Sequence, residues 1–130
     1  MPQVAPTCPA PVDLAALNDV TGGDADFATE LVESYLTSSR ELLTKVQDFF
    51  ARDDRYQLAR TAHQLAGASA NVYAQPLREL CSDLERAAET FTAAQLEEHI
   101  GRIAAELARV TGVLANVVGD RAASAPAPGR

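Results

Sequence analysis

His63 and His99 are the two histidines of the chain, and they are its best candidates for chemistry near neutral pH. An imidazole has an ordinary pKa of about 6.5, so much of it is neutral and nucleophilic at pH 7. Cys8 and Cys81 form neither a CxxC pair nor a spacing typical of metal ligands. Two histidines and two cysteines leave little material for a metal site, and we predict none. With no second ligand beside it, His99 is predicted to be a partly buried or solvated surface histidine.

His63 differs from His99 because the residues around it on a helix surface are small. On a wheel of about 100° per residue, His63 lies at the exposed margin of the apolar stripe of residues 58–73. Its neighbours one and two turns away are Ala59, Ala66, Gly67 and Ala70. This arrangement predicts an imidazole that a partner molecule can reach, with these four residues beneath the partner.

Gly67 strengthens that interpretation. Glycine inside a helix costs about 1 kcal/mol relative to alanine, and no turn is needed here because the apolar period continues through it. One physical reason for glycine is that another molecule comes close to the helix beside His63. The alternative is a tolerated glycine next to an ordinary surface histidine.

The remainder of the sequence predicts helices that would hold His63 in place. Alanine and leucine dominate and only 5% of residues are aromatic, which favours helices over a sheet. Prolines concentrate near the two ends. We therefore predict a flexible leader over residues 1–11, one helical domain over 12–119 and a flexible tail over 120–130.

Capping residues predict where the helices begin. The predicted starts are Asp13, Asp24, the capping-box spacing Ser38–Glu41, Asp53-Asp54, Gln75-Pro76 and the capping box Thr92–Gln95. Amphipathic helices joined by tight turns can bury their apolar stripes only against each other. The predicted fold class is therefore all-α: an antiparallel four-helix bundle with a short N-terminal helix and a long C-terminal helix. The long last stripe could also serve as a coiled-coil partner helix.

Other polar residues have simpler interpretations at this stage. The acids Glu79, Asp83, Glu85 and Glu89 are predicted to form a solvated helix face, because nothing in the sequence indicates a pocket around them. Ser69 falls on the core side and is expected to bond a carbonyl one turn earlier. No nucleotide-binding loop, catalytic triad or metal set is present, which argues against an autonomous enzyme.

The stretch from Ala62 to Ala74 (AHQLAGASANVYA) resembles the signature of histidine-containing phosphotransfer (HPt) domains. That signature runs Ala-His-x-Leu-Lys-Gly-Ser and, after a short gap, Gly-Ala. The leucine-rich segment that follows, and the upstream segments 17–24 and 27–43, also resemble family members, so the resemblance covers about residues 12–92. It implies a four-helix bundle, in agreement with the interpretation of the residues themselves.

The resemblance also implies a function. His63 would accept a phosphoryl group from the phosphoaspartate of one receiver domain and pass it to the aspartate of another. The expected partners are response-regulator receiver domains and a hybrid sensor histidine kinase. The chain would bind no cofactor itself, because the receiver would hold the Mg²⁺, and it would have no kinase activity of its own.

Two positions depart from the family pattern. Ala66 occupies the place where the family usually has lysine, and Tyr73 a place where glycine is common. The missing lysine puts the transfer rate or the stability of the phosphohistidine in doubt. Arg60, which shares a helix face with His63, could supply positive charge instead, although an exposed arginine is more often simply solvated.

Charge and hydropathy exclude several classes of partner. Eighteen acidic and eleven basic residues give a net charge of −7, which disfavours a nucleic-acid surface. The absence of a long apolar stretch predicts no membrane insertion, and we expect a cytoplasmic monomer. Two alternatives to the carrier remain open: a module that docks receivers with weakened phosphotransfer, and a structural or dimerising helical bundle.

Overall fold

The computed structural model describes residues 10–124, and the side chains within that range up to residue 118. Five helices make up this part of the chain: α1 (Leu14–Thr21), α2 (Ala25–Ala51), α3 (Arg55–Asn71), α4 (Gln75–Ala87) and α5 (Ala93–Ser124). The prediction of an all-α bundle with a short first helix and a long last helix is confirmed. Within the described residues, no helix is long and apolar enough to cross a membrane.

The predicted domain boundaries fall partly outside this range. Most of the leader, residues 1–9, and the end of the tail, residues 125–130, lie outside the described residues. α5 runs to Ser124, so the predicted boundary at 119–120 falls inside a helix.

Three aspartates cap the helices that they were predicted to begin. Asp13, Asp24 and Asp54 each accept a hydrogen bond from the backbone N–H three residues later, at 3.0, 3.0 and 3.1 Å. Thr92 and Gln95 form the reciprocal capping box at the start of α5, with bonds of 2.8 and 3.1 Å. These side chains satisfy N–H groups that have no partner within their own helices.

The helix start predicted at Ser38–Glu41 is wrong, because α2 continues through it without interruption. The hydroxyl of Ser38 donates to the carbonyl of Ser34 at 3.0 Å, and that of Ser39 to the carbonyl of Leu36 at 3.4 Å. Both hydroxyls therefore bond backward along the helix instead of capping the N–H groups ahead of them. Ser39 is buried like Tyr35 and Val46, so α2 presents one continuous inner face.

The helices pack in a ring in which α3 contacts α2 and α4, while α5 closes the ring against the same two helices. The fully buried side chains are mainly aliphatic and come from all four long helices, among them Val46, Leu58, Leu65, Leu84 and Ile103. α3 is consequently held on both flanks, and only its outer face is free to present side chains.

Tyr73 ends α3 in a left-handed backbone conformation, with φ of 61°. Glycine adopts this conformation without steric cost, whereas other L-residues do so with strain. The carbonyl of Tyr73 accepts a hydrogen bond from the N–H of Asp13 at 3.0 Å, which ties the start of α1 to the α3–α4 turn. The geometry explains why glycine suits this place and shows that the chain tolerates tyrosine there.

A buried hydroxyl pair joins α2 to α3. The Tyr35 hydroxyl and Ser69 Oγ lie 2.9 Å apart, so the expectation that Ser69 bonds a carbonyl of its own helix is corrected. Burial raises the pKa of Tyr35 to about 12, and the Ser69 hydrogen bond only partly opposes that shift. The pair fixes the rotation of α3 relative to α2, because the buried Ser69 hydroxyl depends on Tyr35 for its hydrogen bond.

Candidate functional site

His63 projects from the outer face of α3, and 74% of its side-chain surface is exposed. The opposite face of the same helix carries Leu58, Ala62, Leu65 and Ser69, all of them buried. The burial of that face holds the helix rigidly, so the position of the imidazole is set by the core and not by a loop.

Glu85 on α4 bonds the imidazole from the side. Its Oε1 lies 3.1 Å from His63 Nδ1, and 39% of the Glu85 side chain is exposed. A carboxylate can only accept a hydrogen bond, so in the neutral imidazole we assign the proton to Nδ1. Nε2 then carries the lone pair, and it is the nitrogen available as a nucleophile.

The interpretation of Glu85 as one more member of a solvated acidic face is therefore corrected. Glu85 lies 22 residues after His63, a separation that no helical or strand period links. Only the antiparallel packing of α3 and α4 brings the two side chains together. A sequence signal was nevertheless available, since Leu84, its neighbour, belongs to a clear buried stripe and therefore fixes which face of α4 Glu85 occupies.

An open cavity of about 330 Å³ lies beside the imidazole, lined by Tyr56, Ala59, Arg60, His63, Gln64 and Glu85. The Arg60 guanidinium lies over the Tyr56 ring, with its central carbon 5.8 Å from the ring centroid. Arg60 Nη1 also approaches the Tyr56 hydroxyl at 3.4 Å. The cavity thus combines an imidazole, a carboxylate, a cation and an exposed aromatic ring.

The four small residues predicted to lie beneath a partner do not share one environment. Gly67 and Ala70 are exposed, and Ala59 is half-buried in the cavity wall. Ala66 is only 7% exposed and belongs to the hydrophobic core. Its predicted role as a contact residue is corrected: at this turn, Gly67 and not Ala66 presents the surface.

Gly67 has open space around it. A Cβ atom placed there would meet nothing within 4 Å, so nothing in the folded chain itself requires glycine. The same is true of Gly101 and Gly112 in α5. A glycine inside a helix therefore does not by itself mark a docking surface in this chain, and the docking role of Gly67 stays a prediction.

His99 has a structural environment. It is 7% exposed, its Nε2 donates to the carbonyl of Leu80 at 2.8 Å, and its ring meets Phe91 edge-on at 6.0 Å between centroids. It is more deeply buried than the sequence indicated. Among the described residues, no group of three or more histidine, cysteine or acidic side chains could hold a metal ion.

Comparisons with known proteins agree with this fold. The Hpt domain family matches residues 30–116, a range that includes both His63 and Glu85. The crystal structure of histidine-containing phosphotransfer protein B (HptB) from Pseudomonas aeruginosa PAO1 is similar in fold, with a TM-score of 0.79 and 22% sequence identity over 87% of this chain and 98% of that one. No curated protein matches the chain. Because the family match extends over more than half of the sequence, this chain belongs to the Hpt domain family.

Proposed function

We propose that this chain is a phosphorelay carrier that accepts a phosphoryl group on His63 from the phosphoaspartate of one receiver domain and passes it to the aspartate of another. The Hpt family consists of histidine phosphotransfer carriers in two-component signalling. The observation that carries the proposal is the exposed imidazole of His63, oriented by the Glu85 carboxylate at 3.1 Å.

The transfer needs little from this chain beyond position. The Nε2 lone pair would attack phosphorus in line, a nitrogen–phosphorus bond would form, and the bond to the aspartyl oxygen would break, which returns that aspartate as a carboxylate. The Nδ1 proton stays in place throughout, and Glu85 would stabilise the positive charge that develops on the ring. Positioning and charge neutralisation are the main demands of phosphoryl transfer.

The remaining parts of the proposal concern partners and surroundings. The partners would be response-regulator receiver domains and a hybrid sensor histidine kinase, and the Mg²⁺ would belong to the receiver. Gly67 and Ala70, on the turns that follow His63, are exposed and would lie beneath a docked receiver. We propose a monomer that works in the cytoplasm and has no kinase activity of its own.

The direct test is phosphoryl labelling from a phosphorylated receiver. Wild-type protein should gain a label that is lost in acid and kept in base, and His63→Gln should gain none. His99→Gln serves as the matched control, since it removes the other histidine but leaves the exposed site intact. Persistent acid-labile label on His63→Gln would overturn the assignment.

A docking module with weakened phosphotransfer is the second candidate, favoured by Ala66, which leaves no cationic side chain at that place on α3. That module would bind receivers with unchanged affinity in His63→Gln while wild-type protein gained no label. Stable labelling of the wild type would exclude it.

A further inference from the structure

The cavity beside His63 raises a problem of charge once His63 is phosphorylated. A phosphoryl group carries nearly two negative charges at neutral pH, and the Glu85 carboxylate already bonds the same ring at 3.1 Å. Like charges this close disfavour each other, even at a site that is open to solvent, and the single positive charge of the ring between them offsets only part of that repulsion. A cation in the same cavity would remove much of that cost.

Arg60 is the cationic side chain that lines this cavity within the described part of the chain. It precedes His63 by three residues on α3, a separation that brings Cβ atoms to within about 5–6 Å on a helix surface. Helical side chains lean toward the N-terminus of their helix, so the His63 ring lies over the turn from which Arg60 projects. The Arg60 side chain is long enough to reach the phosphoryl oxygens from there.

Within the described residues, Arg60 also forms no ion pair with a carboxylate. Arg52, Arg55, Arg86 and Arg109 each pair with a carboxylate of the chain. Within the described residues, the partners of Arg60 are the ring and hydroxyl of Tyr56, both neutral. A guanidinium that rests on an aromatic ring keeps its hydrogen-bond donors for an anion, and its planar fork matches phosphate oxygens.

We propose that Arg60, held beside the cavity by Tyr56, binds the phosphoryl oxygens of phosphorylated His63, with Tyr56 as its positioning residue. This inference rests on the proposed function. Tyr56 is 62% exposed, and its ring contributes by limiting where the guanidinium can go, so that less side-chain freedom is lost when the anion arrives. Because residue 66 is an alanine, Arg60 is the cationic side chain that α3 supplies to this cavity.

The test follows phosphohistidine in the absence of any partner. The 130-residue chain is phosphorylated with phosphoramidate, a chemical donor, and the lifetime of the acid-labile label on His63 is measured at low and high salt. Arg60→Ala should shorten that lifetime about three- to tenfold, as expected for loss of a solvent-exposed charge-assisted contact, and Arg60→Lys should restore part of it. Arg102→Ala is the matched control, since it removes an exposed arginine from α5, which packs against α2 and α4.

The positioning role of Tyr56 is tested by substituting Tyr56 alone and together with Arg60. Tyr56→Ala should shorten the lifetime about two- to fivefold, the factor expected from an exposed cation–π contact, and Tyr56→Phe should keep most of it. The double variant should be no worse than Arg60→Ala alone, because Tyr56 acts through the arginine. All of these ratios should shrink at high salt, where exposed charges are screened.

Two results would overturn the proposal. One is an Arg60→Ala lifetime equal to that of Arg102→Ala, and the other is additive losses in the double variant. Failure of the proposed function would look different, because wild-type protein would then gain no acid-labile label from a phosphorylated receiver even though phosphoramidate labels His63.

Discussion

Gly67 offers a test in which stability and transfer should change in opposite directions. A Cβ atom added there meets nothing within 4 Å, and position 67 is exposed on the outer face of α3, so substitution should not disturb the bundle. If a receiver docks over α3 beside His63, the same side chain would instead meet the partner. Gly67→Ala and Gly67→Leu form a graded pair, and Gly101→Ala in α5 is the matched control with equally open surroundings.

The expected magnitudes follow from the geometry. Replacing a helical glycine with alanine should raise the free energy of unfolding by about 0.5–1 kcal/mol at either site, which is about 2–4 °C in Tm for a domain of this size. Gly67→Leu should also stabilise the fold, because leucine is a strong helix former. At a packed interface, the leucine side chain of Gly67→Leu should destabilise the complex with the receiver by about 1–3 kcal/mol. That corresponds to a transfer rate roughly 5- to 150-fold lower at low protein concentration.

The assay combines thermal unfolding with phosphoryl transfer from a labelled receiver, followed at receiver concentrations well below saturation. We expect Gly67→Leu to be more stable and markedly slower, Gly67→Ala to be more stable and slightly slower, and Gly101→Ala to be more stable and unchanged in rate. Transfer by Gly67→Leu at the rate of Gly101→Ala would refute the docking role of Gly67. A loss of stability in Gly67→Leu would refute the geometric premise.

Three further predictions concern other residues of the site and the core. Glu85→Ala should slow transfer about two- to tenfold through loss of one partly exposed hydrogen bond, and the rate of Glu85→Gln should lie between that of Glu85→Ala and that of the wild type. Equal transfer rates from one labelled receiver to all three proteins would show that Glu85 has no part in the mechanism. Ala66→Lys should lengthen the phosphohistidine lifetime or raise the transfer rate, because the aliphatic part of the lysine can extend out of the core and place the ammonium near His63. No change in either quantity would show that the alanine does not impair transfer. Burial raises the pKa of the Cys81 thiol from 9.0 to about 12, so its contribution to stability is complete below pH 9 and is lost as the pH rises toward 12. Above pH 9, the free energy of unfolding of the reduced wild-type protein should therefore fall more steeply with pH than that of Cys81→Ala, by up to about 1.4 kcal/mol per pH unit. Urea unfolding measures both slopes, and equal slopes would contradict this.

The helical class and most helix starts could be predicted because their signals are local. A cap such as Asp24 and the helix that it begins are separated by three residues, and the hydrogen bond of 3.0 Å forms within that distance. The error at Ser38–Glu41 arose from the same local rule. Capping-box spacing describes which bonds are possible, but the burial of Ser39 and Val46 against the bundle decided that α2 would continue.

The site itself was only half accessible to prediction. His63, Arg60 and Gly67 share one helix, so their common outer face could be inferred from the helical period. Glu85 could not be placed by the same means, because its contact with His63 depends on the turn that reverses the chain and on the rotation of α4 against α3. The burial of Ala66 could not be predicted for a related reason. Ala66 lies at the edge of the apolar stripe of α3, and only the packing of neighbouring helices decides whether a residue at that edge is buried.

This difference in origin has a consequence for how the site can change. Arg60 is tied to His63 by one turn of a single helix, so variation in the packing of the bundle leaves the two neighbours together. Glu85 is tied to His63 only through the packing of α3 against α4, two helices whose fully buried residues include Leu65, Leu77 and Leu84. A substitution that moves α4 about 1 Å away from α3, with the Glu85 side-chain conformation unchanged, would stretch the 3.1 Å bond beyond hydrogen-bond length while leaving Arg60 in place. Substitutions in the core far from the imidazole should therefore weaken the Glu85–His63 hydrogen bond before they change the position of Arg60 beside His63. In that sense the core of this small bundle is part of the site.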